Sequence, residues 1–236
     1  MRASDRRPGT MRLSSLPGRE LDCVEELCQK TIDSRRSIGT LNWSLKKLRV
    51  ADEALLRSFE QKIRATRLLR LIRANGTLFE LFAMVTSTTG AFGEALLKLL
   101  DKTVAEELCD KTISSSRSIA SLPYMLTYLK NTNRDDLVLL EGQIGIERWW
   151  RLMVANAKPS HVVHFRDSFS EEVCALFLRA SESLTQDDWE SLMTRGDCFD
   201  ACRFSAEVAP KLPLSTRGYV RRAIERQLPR LSRDSD

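Results

Sequence analysis

Apolar residues recur along this chain at helical spacing, in short blocks separated by polar capping residues. Ile38, Leu41, Leu45 and Leu48 fall on one face of a 3.6-residue helix, and Leu55, Leu56, Phe59 and Ile63 on a second. Leu68, Leu69, Leu71 and Ile72 form a third stripe. These blocks predict helices over about 37–49, from Asp52 onward, and over about 65–74. Asp52 is a predicted N-cap, and Asn75-Gly76 predicts a left-handed stop. Thr77 with Glu80 three residues on predicts a capping box. Asn133 and Asp136 take cap positions before Leu137 and Leu140, and Ser168 with Glu171 predicts another helix start. Ahead of the first trio a helix is expected near Glu20–Asp33. A last helix, near Thr216–Leu231, would turn Tyr219, Val220, Ala223, Ile224 and Leu228 inward.

The blocks themselves repeat. EELCQKTIDSRRSI at Glu25–Ile38 returns as EELCDKTISSSRSI at Glu106–Ile119, 81 residues later and without a gap. That copy divides again: Ile32, Ile72, Ile113, Met153 and Met193 form a column with steps of 40 or 41 residues. Leu41, Leu81, Leu122, Val162 and Cys202 form another. A fixed period of this size is the signature of stacked repeats. Helices this short are marginal alone in water, so neighbouring units must bury each other's stripes. The expected fold is all-α, a right-handed α-solenoid of about four three-helix repeats of ~40 residues with partial capping units at each end. Over residues 20–231 the repeat length and helix count resemble the armadillo and HEAT class of helical-repeat proteins. That resemblance implies an α-solenoid fold. Residues 1–19 are expected to be a basic, loosely attached lead-in, and 232–236 a tail.

Charge changes this picture at the ends. The net charge is +5, but residues 1–20 and 215–236 each carry +3, leaving the body near neutral. The pI therefore does not by itself point to nucleic acid. The N-terminus has no apolar run after its arginines, and no stretch approaches a membrane span. A cytoplasmic location is expected, with the six cysteines as reduced thiols.

Candidate chemistry is sparse. Lys30, Arg70, Lys111 and Arg151 are repeat equivalents that would line one face. Glu26, Glu107 and Glu147 lie four residues before three of them, the spacing that neutralises a helix face. Arg64, Arg67, Arg70 and Arg73 make a denser patch, with Lys46, Lys47 and Arg49 on the first helix of that unit. His161, His164, Cys198 and Cys202 have no usual zinc spacing, and Cys202 sits in an apolar column. Trp149 falls in a core column, and Trp150 is a candidate exposed anchor. There is no Gly-rich phosphate loop, nucleophile elbow or HExxH. The expectation is a non-catalytic scaffold or adaptor for another protein, without cofactor or metal, contacting it through Arg64, Arg67, Arg70, Arg73, Arg148 and Arg151. A nucleic-acid binder using the same arginines and the basic C-terminal helix is the alternative.

Overall fold

A computed structural model describes residues 17–34, 38–115 and 117–231, with side chains described within 25–227. The predicted tail, and the lead-in before residue 17, lie outside the described residues. Among those described there are fifteen α-helices and no strand. After α1 (Pro17–Asp33) come α2 (Gly39–Ala51), α3 (Glu53–Ile63) and α4 (Ala65–Asn75). The second trio is α5 (Leu78–Ser87), α6 (Gly90–Leu99) and α7 (Lys102–Ser114). The third is α8 (Leu122–Thr132), α9 (Arg134–Ile144) and α10 (Ile146–Asn156). The fourth is α11 (Pro159–Ser168), α12 (Glu171–Ala180) and α13 (Gln186–Met193). The chain ends with α14 (Cys198–Glu207), a 3-10 turn at Ala209–Lys211 and α15 (Leu214–Leu231).

Helices of like rank pack on one another. First helices form the succession α2, α5, α8, α11, α14, and third helices the succession α1, α4, α7, α10, α13, α15. The second helices α6 and α9 also meet. One continuous apolar core lies between these rows, from Cys28 to Ala223. The column Ile72, Met153 and Met193 is buried in it, with Ile32 and Ile113 packed at its edge. In the third and fourth trios the core is aromatic: the Trp150 ring stacks on Phe177 at 4.3 Å, and Trp149 packs against Phe165 and Phe169. Trp150 is thus not the exposed anchor allowed by the sequence; its indole N–H donates to the Phe177 carbonyl at 2.8 Å.

The 81-residue offset holds down to single bonds. Asn75 Nδ2 donates to the Thr31 carbonyl, and Asn156 Nδ2 to that of Thr112. Buried Glu60 accepts from the backbone N–H and the hydroxyl of Thr89, and buried Glu141 does the same to Ser170. Arg64 and Gly145 each join a second helix to a third with positive φ, 59° and 79°. The bounds of α3 to α6 recur, shifted by the same offset, in α9 to α12.

The capping expectations hold in most places. Asp52 accepts from Leu55 N–H at 2.9 Å, Asn133 from Asp136 N–H at 3.2 Å, and Thr77 with Glu80 closes a capping box. Local expectations fail at Gly76, Ser168, Cys202 and Tyr219, the last 37% exposed on α15 rather than turned inward. Gly76 is extended, not left-handed, because α5 starts two residues later and the link is made by extended backbone. A side chain there would still collide, with the Ile72 carbonyl 2.9 Å from an added Cβ. Ser168 is the last residue of α11, its hydroxyl donating to the His164 carbonyl, and the N-cap of α12 is Ser170. Cys202 is exposed on α14, the last helix of the first-helix row.

Candidate binding face

The predicted arginines lie on the third helices α4 and α10 or at their starts, where the apolar stripe turns inward and leaves the basic side outward. The structure brings five of the six into ion pairs with the third helix above or below. Arg67 and Arg70 both reach Glu25 on α1. Arg73 forms a two-point bridge with Glu107 on α7, at 2.6 and 2.7 Å. Arg148 meets Glu106 at 2.9 Å, and Arg151 meets Asp110 at 2.8 Å. Paired guanidinium groups hold the Glu25 and Glu107 carboxyls below the ordinary glutamate range. Of the expected pairs along a single helix, Glu26–Lys30 forms at 2.7 Å. Glu107 instead bridges to Arg73, and Lys111 donates to the Arg73 and Ala74 carbonyls. Arg64 has no ion-pair partner among the described residues.

A different face gathers unneutralised charge. The first helices α2, α5 and α8 stand side by side, and a groove of about 400 Å³ runs across them. Asn42 and Lys46 line it from α2, Ala83, Thr86 and Ser87 from α5, and Tyr124 and Tyr128 from α8. It adjoins a second depression that shares Asn42, Ala83, Ser121 and Met125. Tyr124 is 70% exposed, and Trp43, next to Asn42, is 62% exposed. The Lys47 ammonium lies 5.6 Å from the Trp43 ring centre, within cation–π range. The three helices hold one carboxylate, Glu80, and it is nearly buried in its capping box with Arg117 3.2 Å away. Lys46, Lys47, Arg49 and Lys130 face no exposed acid on these helices. Arg49 and Lys130 donate to main-chain carbonyls, of Thr86 and of Asp167 and Phe169. The face is therefore cationic, aromatic and rich in hydroxyls.

Lys46, Lys47 and Arg49 stand out in the sequence as a basic group on α2, whereas the tyrosines, about 80 residues from Asn42 in the chain, do not. The repeat offset was the available signal, since it places α2 and α8 in one row.

The histidine and cysteine set does not converge. His161 Nδ1 accepts from the Lys158 N–H at 3.2 Å, and burial lowers its pKa below the usual imidazole value. His164 Nε2 lies 3.0 Å from Arg203 and its ring stacks on Tyr124. Among the described residues no three His, Cys, Asp or Glu side chains are grouped to hold a metal ion. A groove between α10 and α13 collects Glu147, Arg151, Asp188 and Arg195, but most of these serve the fold. Asp188 caps Thr185, Arg151 pairs with Asp110, and Arg195 donates to the Val154 carbonyl. No helix among the described residues is long and apolar enough to cross a membrane. The chain matches no family model, no curated protein and no solved structure.

Proposed function

We propose that this protein is a helical-repeat scaffold, a right-handed α-solenoid of the armadillo/HEAT type, whose first-helix face holds an acidic, extended segment of another protein. The reading is supported chiefly by the groove across α2, α5 and α8, lined by Lys46, Tyr124 and Tyr128 and by no exposed carboxylate, with the Lys47–Trp43 pair also on α2. Rank-by-rank packing of the helices supports the solenoid, since each unit borrows its interior from its neighbours. Acidic side chains of the partner would meet Lys46 and Lys47, and its apolar side chains would lie on Trp43, Tyr124 and Tyr128. The third-helix arginines would act at the margin, because a partner must first displace the carboxylates they already hold.

Affinity capture from native cells tests this. The wild-type chain should retain a protein partner that the triple variant Lys46→Glu, Lys47→Glu, Tyr124→Ala loses, with the far-ultraviolet circular dichroism of the two unchanged. Equal capture by both would remove the groove from consideration. A second reading has its own support, since exposed rings beside lysines also suit the stacking of single-stranded bases. Retention of a single-stranded RNA oligomer, falling log-linearly with salt and lost on Trp43→Ala, would favour that reading. No retention at low salt would dismiss it.

A further inference from the structure

The internal repeat makes the N-terminal end of the array interpretable. α1, α2 and α3 correspond to α7, α8 and α9 at the 81-residue offset. In the interior, α7 and α8 are covered by α5, and α9 by α6. Leu108, Leu122 and Leu140 are consequently at most 1% exposed. Their equivalents Leu27, Leu41 and Phe59 have no such cover among the described residues: Leu27 is 57% exposed, and the three line an apolar groove of about 350 Å³. A polar marker lies in the same place. The Thr112 hydroxyl donates to the Leu108 carbonyl and accepts the N–H of Leu78, at the start of α5, at 3.0 Å. The Thr31 hydroxyl donates to the Leu27 carbonyl in the same way and lines the groove, and no donor among the described residues takes the place of the Leu78 N–H.

We infer that this end of the array is a docking site for a pair of short, apolar-faced helices of the α5–α6 kind, supplied by another polypeptide. The pair would enter as the first and second helices of the unit whose third helix is α1. Its first helix would start over Thr31 and donate a terminal N–H to that hydroxyl, as Leu78 does to Thr112. Its leucines would cover Leu27, Leu41 and Phe59. The interior interface defines this occupant, because the groove continues the surface on which α5 and α6 already lie. A second copy of the chain is a poorer fit. Its C-terminal end would bring α15, a member of the third-helix row, into the place α1 already holds.

The test uses the full chain and, as probe, a synthetic peptide spanning Thr77–Leu100, the segment that covers the interior equivalent. Isothermal titration should give saturable binding with one peptide per chain. Leu27→Glu should weaken it about tenfold or more, and Thr31→Val severalfold. Lys46→Glu with Tyr124→Ala, on the separate first-helix groove, should leave it unchanged. Leu27 is exposed, so its replacement by glutamate is compatible with folding, which circular dichroism checks. Absence of saturable binding, or binding indifferent to Leu27→Glu, overturns the inference. A concentration-dependent dimer in sedimentation, abolished by Leu27→Glu, overturns it in favour of self-association.

Discussion

Arg64 is the one non-glycine residue with positive φ among those described, and its repeat equivalent is Gly145. Its backbone, at φ 59° and ψ 147°, lies in a region nearly reserved for glycine, where a side chain costs roughly 1–3 kcal/mol. Glycine's extra freedom when unfolded offsets part of any relief. Arg64→Gly should therefore raise stability, by about 1 kcal/mol, in a urea titration. Gly145→Arg should lower it by roughly 1–3 kcal/mol. The cost there is conformational, since an added Cβ would meet nothing closer than 3.6 Å. If Arg64 contacts a partner, Arg64→Gly will weaken binding while it strengthens the fold. Glu141 offers a second test at this scale. Burial raises its pKa above the usual glutamate value of 4.5, against the opposing hydrogen bonds from Ser170. The folded state thus holds that proton more tightly than the unfolded one. This stabilising contribution is complete below the unfolded pKa and is lost as pH rises through the folded pKa. Glu141→Gln removes the linkage, so the variant should gain on the wild type as pH climbs from about 4 to 7. Urea midpoints across that range would show it; a constant difference would refute it.

Between elements, the fold uses side chains of one unit to finish helices of the next. Thr89 does not cap α6 with its own side chain; Glu60 on α3 does this, accepting the Thr89 N–H and hydroxyl at 2.7 Å each. Glu60→Ala would leave that N–H unsatisfied where water has little access, and should cost about 1–3 kcal/mol. Faster hydrogen exchange at the first turn of α6, with α2 unaffected, would identify the lost cap as the cause. This arrangement also marks what the sequence can and cannot say. Asp52, Asn133 and the Thr77–Glu80 box were legible because each cap and its helix lie within four residues. The column through Ile72, Met153 and Met193 was legible because burial selects an apolar residue at each return. Glu60, Glu141 and the arginine bridges were not, since each partner lies about 30 to 45 residues away and spacing along one helix is blind to it. The groove was hidden for the same reason: Asn42 and Tyr124 meet only when α2 and α8 are set in one row. Gly76 misled because glycine serves close approach as well as left-handed turns.

At the scale of the whole molecule, each substantial helix–helix contact joins helices no more than three apart in chain order. Among the described residues no contact of that strength links the first trio to the last, so these two trios share stability only through what lies between them. The proposed solenoid should lose structure locally rather than all at once. Trp150 is the place to provoke this. Its ring is buried between Phe177 and Trp189, joining α10 to α12 and α13, and Trp150→Ala should cost about 3–5 kcal/mol. In a single cooperative domain that loss would lower protection at every slowly exchanging amide alike. Here hydrogen exchange should instead rise sharply in α10 to α13, while amides in α2 to α4 keep most of their protection. Their neighbours in α5 to α7 remain folded and go on supplying the interior the first trio needs. Uniform loss across all trios would mean that the units fold as one body, and would count against the solenoid reading itself.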